Sequence, residues 1–247
     1  MIPDAIHPSV IFHGNQYWMA YTPYPDWDTK QENPSILVSD NGKDWTEPCK
    51  NPIAPAPPDG GHNCDPFLFF ENGLFHCVFC HYFVDFGGTE HTLIKQLTSP
   101  DGKQWGDGKI LKETPGVLIS PCIVDDKLWY IKVGVKQKGE MVTPYGLFRE
   151  NKRIDFDIPH YYIWHFEIRK SLTKYWMLMS AYRKEKSPLE CRPFYAESTD
   201  GGDTWQMNNY LNPIRLIKSY KSSAVGNRLW ISVLINNQWC IDDTNLD

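Results

Sequence analysis

Short apolar strands recur in pairs along the chain, and all five pairs follow one plan. Each pair begins at a polar residue, often followed by proline, and runs through an apolar strand and a turn into a strand containing Trp or Tyr. Between the strands, Gly14-Asn15 and Asn72-Gly73 are typical of tight β-hairpin turns. The first strands cover residues 7–12, 65–70, 120–124, 165–168 and 221–225, and the second strands cover residues 17–21, 74–78, 128–131, 175–179 and 229–233.

The spacing of these pairs predicts an all-β fold, a five-bladed β-propeller with four-stranded antiparallel blades. The pairs begin 45 to 58 residues apart, which matches a blade of four short strands. We expect a single domain over residues 1–247, with residues 2–5 helping to close the ring. A β-sandwich is the competing fold, and no 3.6-residue apolar period lasts three helical turns. The predicted blades cover approximately residues 5–60, 61–115, 116–158, 159–216 and 217–247.

A turn motif of the form Ser-x-Asp/Asn-Gly, followed by Trp, occurs three times after a predicted third strand. The Asp or Asn side chain of such a turn accepts hydrogen bonds from downstream amides, and glycine supplies a positive φ. The motif resembles the Asp-box of sialidases and other β-propellers. That resemblance implies a structural role on an outer hairpin, away from the binding face. The motif residues are Ser39, Asn41, Gly42 and Trp45, then Ser99, Asp101, Gly102 and Trp105, then Ser198, Asp200, Gly201 and Trp205.

Composition and charge argue against a nucleic-acid-binding protein and against a cysteine-based metal site. Aromatic residues make up 14% of the chain, and the net charge of -5 has no acidic or basic block, so we predict no nucleic-acid partner. Seven cysteines form no disulfide framework, and Cys77-x-x-Cys80 lies in a strand whose residues three apart point to opposite faces. We predict no metal site and no cofactor, and leave a central ion open.

The N-terminus has neither the charged nor the apolar region of a signal peptide, and no apolar run has membrane-spanning length. We therefore predict synthesis in the cytoplasm and no membrane insertion, with association with a virion left open.

The polar residues that begin the first strands are the candidate functional groups. In a propeller the innermost strand of each blade lines the central channel, so residues at these starts should form a polar ring at one mouth. The alternative, that His7-Pro8 and Asp65-Pro66 only cap strand starts, stays open. The predicted ring contains His7, Asp65, Ser120, His165 and Lys221 (or Tyr220).

Aromatic and charged side chains near the same face suggest a glycan partner. The C–H groups of a sugar stack on aromatic rings, and its hydroxyl groups form hydrogen bonds with charged side chains. The alternative is that these loops are merely solvated and that Tyr24 and Trp27 pack locally. The candidate ligand-binding residues are His7, Tyr24, Trp27, Glu32, Asp65, His165 and Arg183.

Two family resemblances bear on function. Five blades, an Asp-Pro at a strand start and Glu190-Cys191 resemble the five-bladed glycosidase superfamily, which includes arabinanase/xylosidase and invertase-like families. Residues 7–10, 17–25, 32–36, 39–45 and 51–53 resemble propeller proteins and domains found among tailed-phage tail and receptor-binding components and in gut-bacterial genomes. The second resemblance implies glycan recognition, often without catalysis.

Our expectation is a carbohydrate-binding propeller, a phage virion or tail component that recognises host surface glycan and contacts other virion proteins. The first alternative is a glycoside hydrolase that uses Asp65 with Glu190 or Glu32, since such enzymes need two carboxyl groups. His7 stands where the glycosidase families place their leading aspartate, and this weakens the hydrolase interpretation. The second alternative is a virion scaffold that binds no sugar.

Overall fold

The computed structural model describes residues 1–134, 144–207 and 217–245, and these residues are almost entirely β-structure. Three single-turn 3-10 helices occur, at Pro25–Trp27, Thr29–Gln31 and Pro188–Glu190. Among the described residues, no helix has the length and apolar character needed to cross a membrane. The strands are β1 Ile2–Pro3, β2 Ala5–His13, β3 Gln16–Pro23, β4 Ser35–Ser39, β5 His62–Glu71, β6 Leu74–Val84, β7 Glu90–Ser99, β8 Lys109–Pro115, β9 Val117–Val124, β10 Lys127–Val133, β11 Pro144–Arg149, β12 Lys152–Arg153, β13 Tyr161–Lys170, β14 Tyr175–Arg183, β15 Arg192–Ser198, β16 Gln206–Met207, β17 Ser222–Val225, β18 Arg228–Ile235 and β19 Gln238–Asn245.

The strands form five sheets of successive antiparallel neighbours, one for each predicted blade. Their orders are β2-β3-β4, β5-β6-β7-β8, β9-β10-β11-β12, β13-β14-β15-β16 and β1-β19-β18-β17. The N-terminal strand joins the last sheet, where Ile2 pairs with Ile241, as expected for residues 2–5. The predicted fold class, an all-β five-bladed β-propeller, is confirmed.

The first sheet lacks a full fourth strand among the described residues, and two local contacts cover its edge. Val38 and Thr46 form an isolated antiparallel bridge. The side chain of Asn51 accepts from the amide of Ile36 at 2.8 Å and donates to the carbonyl of Ile36 at 2.9 Å. The amide group of Asn51 therefore satisfies backbone groups that a strand would otherwise pair.

The chain divides into two compact units. The first unit contains residues 1–115 and 223–247, and the second contains residues 116–222. The prediction that the chain forms a single domain stays a prediction. In the first unit, β2 packs on both β5 and β18, and Trp18, Leu68 and Phe79 belong to one buried cluster. In the second unit, β9 packs on β13, and Trp129 and Ile168 are fully buried.

Each of the three Ser-x-Asp/Asn-Gly turns is closed by its acidic or amide side chain. In the first turn, Asn41 Oδ1 accepts from the amides of Lys43 at 2.8 Å and Asp44 at 2.9 Å. Asp101 and Asp200 accept equivalent pairs of backbone amides. These side chains replace the backbone partners that a tight reversal leaves unsatisfied.

The glycine of each turn lies against a tryptophan on the second strand of a neighbouring sheet. A Cβ atom on Gly102 would lie 2.5 Å from the ring of Trp18 on β3. Trp230 on β18 donates its indole N–H to the carbonyl of Gly42 at 3.3 Å. Only glycine allows this approach, so the turns hold adjacent sheets together through a Trp ring.

The glycine that contacts Trp in the third turn is Gly202, the residue after the motif glycine Gly201. The third turn contains one residue more than the other two. Ser198 Oγ accepts from the amide of Gly202 at 2.9 Å, just as Ser39 Oγ accepts from that of Gly42 at 2.8 Å. A Cβ on Gly202 would lie 2.6 Å from Trp129, whereas no atom lies within 4 Å of a Cβ on Gly201.

Gly202→Ala is expected to destabilise the fold more than Gly201→Ala. Both glycines have a positive φ, 85° and 74°, so both substitutions strain the backbone. Only Gly202→Ala also forces a methyl group into Trp129, and such overpacking costs about 1–3 kcal/mol. Urea unfolding of both variants measures the difference. Equal losses of stability would show that the Gly202–Trp129 contact does not hold the turn in place.

Candidate functional site

The polar residues at the starts of three first strands share an unusual backbone conformation. His7, Asp65 and Ser120 have φ values of 61°, 55° and 51°, although none is glycine, and each precedes a proline. The pairing register also shifts at these points, between Ile6 and Ser9 in β2 and between Cys64 and Phe67 in β5. Such bulges redirect side chains, and strained non-glycine residues of this kind concentrate at functional sites.

His7 and Asp65 belong to the first unit, and the imidazole of His7 lies between two buried carboxyl groups. Its Nδ1 lies 3.5 Å from Glu32 Oε2, and its Nε2 lies 3.4 Å from Asp65 Oδ1. His7, Glu32 and Asp65 are 5%, 5% and 1% exposed. Three ionisable side chains therefore share a site from which most water is excluded, where electrostatic interactions are strong.

Two hydroxyl groups from neighbouring strands orient His7. Its backbone N–H donates to Ser232 Oγ on β18 at 3.0 Å, and its Nδ1 lies 3.1 Å from Thr22 Oγ1 on β3. Thr22 donates its own hydroxyl proton to the carbonyl of Ile6 at 3.4 Å, so its oxygen is free to accept from Nδ1–H. A proton on Nε2 as well would make the contact with the Asp65 carboxylate a charge-assisted hydrogen bond.

Backbone contacts with β5 hold Glu32 beside this imidazole. The carbonyl of Glu32 accepts from the amide of Asn63 at 2.9 Å, and Asn63 Nδ2 donates to Asn33 Oδ1 at 2.9 Å. Glu32 Oε2 is buried and accepts no hydrogen bond from the described residues. Burial raises the pKa of Glu32 well above its usual value, and the nearby charge of Asp65 raises it further.

Tyr24 and Trp27 lie on the short segment that precedes Glu32. Burial raises the pKa of Tyr24 to about 12, and the charges of Glu32 and Asp28 add to the shift. Trp27 is 36% exposed, donates its indole N–H to the carbonyl of Asn237 at 3.1 Å and packs edge-on against Trp239 at 5.4 Å. Tyr24 therefore lies near Glu32, and the partly exposed ring of Trp27 packs against the β18–β19 hairpin.

His165 and Ser120 belong to the second unit and contact each other there. Ser120 Oγ and His165 Nδ1 are 2.7 Å apart, and His165 packs edge-on against Tyr220 at 4.9 Å between ring centroids. His165, Ser120 and Lys221 are all buried. Ser120 and His165, which the repeat predicted to begin equivalent strands, are therefore in contact in this unit. Tyr220 packs beside His165.

Arg183 and Glu190 are exposed side chains of the second unit. Arg183 Nε donates to the hydroxyl of Tyr161 at 3.3 Å. Glu190 forms an ion pair with Lys218 at 2.8 Å, and the hydrogen bond from Lys218 lowers the pKa of Glu190. An exposed carboxylate held in its ionised form is a poor proton donor, so the structure favours Glu32 over Glu190 as a partner for Asp65.

The candidate residues chosen from the sequence omit Thr22, Ser232 and His62, all of which belong to this site or lie beside it. Burial lowers the pKa of His62, although the charge of Asp65 acts in the opposite direction. Thr22 lies in the segment of residues 21–27 that the sequence places near the same face, whereas Ser232 lies inside a second strand, where an isolated hydroxyl gives no sequence signal. In the sequence, His62 and Asn63 closely precede Asp65, and this indicates that further polar side chains lie beside Asp65.

No family model matches the chain. A curated relative, the A type blood N-acetyl-α-D-galactosamine deacetylase of Flavonifractor plautii, is 34% identical over 110 residues. The match covers 40% of this chain and 14% of the relative. The chain therefore spans a small part of the length of the curated relative that it matches.

Solved structures of carbohydrate-active enzymes share this fold. An N-acetylgalactosamine deacetylase from F. plautii, in complex with blood group B trisaccharide, has a TM-score of 0.74 and 19% identity, over 93% of this chain and 80% of that one. A GH43 endo-arabinanase from Bacillus licheniformis has a TM-score of 0.58 and 15% identity, over 97% of this chain and 94% of that one. At these identities the likeness shows the fold.

These comparisons confirm, at the level of the fold, the resemblance to the five-bladed glycosidase superfamily. The curated relative and these solved structures are named as carbohydrate-active enzymes, whereas the sequence led us to expect a binding protein without catalysis. They give no support to the resemblance to phage tail proteins, and the expected roles in a virion and in host recognition stay predictions.

Glu32→Gln is expected to raise the stability of the fold at pH 8. Because the folded-state pKa of Glu32 is raised, the native chain has full stability below the unfolded-state pKa and loses it as the pH rises through the folded-state pKa. Gln cannot ionise and avoids this loss, which we expect to amount to about 1–3 kcal/mol. Thermal unfolding of both chains between pH 4 and pH 8 measures the difference.

The control is Glu190→Gln, which alters an exposed ion pair and should change stability by less than about 1 kcal/mol. A Glu32→Gln chain that is less stable than the native chain at pH 8 would contradict the effect of burial on Glu32.

Proposed function

We propose that this chain is a carbohydrate-active hydrolase that removes the acetyl group from an N-acetylated amino sugar. The observation that carries the proposal is the pair of buried carboxyl groups, Glu32 and Asp65, on the two nitrogens of His7. Hydrolysis of an amide needs one group that accepts a proton from water and another that protonates the leaving amine. The relative from F. plautii, named as an N-acetyl-α-D-galactosamine deacetylase, points to the amide as the bond that is cleaved.

We assign a separate role to each group of the site. Asp65 accepts a proton from the attacking water, whose oxygen forms a bond to the amide carbonyl carbon. Glu32, whose pKa burial raises, then donates its proton to the amide nitrogen as the C–N bond breaks. Acetate and a free amino sugar leave, and His7 holds Asp65 in position through the contact between Nε2 and Oδ1.

Glycoside hydrolysis is the second candidate, because the same two carboxyl groups would serve it. One carboxyl acts as the general acid and the other as the base or nucleophile in such enzymes. The fold shared with the endo-arabinanase supports this candidate. A glycan-binding protein without turnover, as expected from the sequence, is the remaining outcome.

We expect the native chain to release acetate from oligosaccharides that end in N-acetylgalactosamine. Asp65→Asn and Glu32→Gln should each lower the rate by about 10²–10⁴-fold, the usual contribution of a general acid or base. Glu190→Gln is the matched control and should keep the native rate. The assay includes samples with a chelator and samples with added Mg²⁺, Mn²⁺ or Zn²⁺, since imidazole and carboxylate groups also bind divalent ions.

Acetate and reducing ends are measured in the same samples. Reducing ends without acetate, lost in Asp65→Asn, would replace the deacetylase with a glycosidase. If the chain binds the oligosaccharide but releases neither acetate nor reducing ends under any metal condition, the proposal is overturned. The chain would then be a glycan-binding protein without catalysis.

A further inference from the structure

The first unit contains a cavity whose lining includes Asn63, two residues before Asp65, but none of His7, Glu32 and Asp65. Its volume is about 460 Å³, and it lies between the loop of residues 53–58 and the strands β6 and β7. Most of its lining is apolar, including Pro55, Pro57, Phe79, Leu97, Trp105 and Ile110. Cavities of this volume hold small organic ligands.

A chain of three ionisable groups ends in this cavity. Lys95, which lines it, donates from Nζ to His81 Nδ1 at 2.7 Å. Because His81 accepts at Nδ1, its proton lies on Nε2, which contacts Asp59 Oδ2 at 3.0 Å. His81 is buried and Lys95 is half-buried. The ammonium of Lys95 is therefore held at a fixed position on the cavity wall.

Lys95 has no direct ion pair with a carboxylate among the described residues. Its hydrogen-bond partner is a neutral imidazole, and Asp59 acts only through that ring. Burial lowers the pKa of Lys95, and the charge of Asp59 opposes this effect. A half-buried cation in an apolar wall gains most from an anion that binds directly to it.

The other polar and aromatic groups of the lining restrict what such an anion can be. Trp105 uses its indole N–H on the carbonyl of Gly102 at 3.1 Å, so it offers only its ring face to a ligand. Asp107 is the one acidic group of the lining, and it can accept hydrogen bonds from hydroxyl groups. The cavity thus presents the ammonium of Lys95, the carboxylate of Asp107 and the ring of Trp105.

We propose that this cavity binds an acidic monosaccharide unit, a hexuronic acid or similar sugar with one carboxylate. The carboxylate binds the Lys95 ammonium, the C–H face of the sugar ring stacks on Trp105, and hydroxyl groups donate to Asp107. Asn63 borders this cavity and also contacts Glu32, but binding here does not depend on any reaction at the carboxyl pair.

The proposal is tested by comparing the binding of glucuronic acid with that of glucose. Titration calorimetry measures the two affinities, and the shift of the Trp105 indole N–H signal in NMR spectra shows whether the sugar binds in this cavity. The native chain should bind glucuronic acid at least ten times more tightly than glucose. Lys95→Met should remove this preference, because it keeps the side-chain length and loses the charge. Lys95→Arg should keep at least part of it, which a merely structural role for Lys95 does not predict.

Lys109→Met is the matched control, since Lys109 is exposed on β8 and is not part of the cavity lining. It should bind glucuronic acid as the native chain does. The proposal would be overturned if the native chain bound the two sugars with equal affinity. It would also be overturned if a folded Lys95→Met chain kept the native preference for glucuronic acid over glucose. If Lys95→Met does not fold, Lys95→Gln takes its place.

Discussion

The candidate site depends on one imidazole that holds two buried carboxyl groups together. Two carboxyl groups in a site with little water repel each other when both are ionised, and burial penalises each charge separately. His7 reduces this cost, because it presents one ring nitrogen to Glu32 and the other to Asp65. Burial and the nearby charge of Asp65 raise the pKa of Glu32, so Glu32 holds its proton more strongly than an exposed carboxyl does.

The same structural turns that stabilise the sheets also position this imidazole. β3 carries Trp18, which lies under the Gly102 turn, and also Thr22, which contacts the His7 ring. β18 carries Trp230, which donates to Gly42, and also Ser232, which accepts from the His7 backbone. The turns that follow β4 and β7 thus anchor the two strands that orient His7.

The repeat in the sequence predicted the architecture and the first-strand positions, because both follow from local patterns. Strand pairs with polar starts and hairpin turns locate His7, Asp65, Ser120 and His165 without any knowledge of contacts. The roles of Glu32 and Glu190 could not be separated in this way, since both are acidic residues in short loops. Burial distinguishes them: Glu32 lies against β5 and beside His7, whereas Glu190 is exposed beside Lys218. Likewise, the extra residue in the third turn moved the buried glycine from 201 to 202, a difference that only the packing against Trp129 reveals.

A double-mutant cycle between His7 and Glu32 tests most directly whether these residues act as one unit. The cycle compares kcat/KM for acetate release in His7→Gln, Glu32→Gln and the double variant with that of the native chain. Groups that work together show strongly non-additive losses, so the account predicts a double variant about as slow as the slower single variant. Losses that simply multiply would contradict it, because His7 and Glu32 would then act independently.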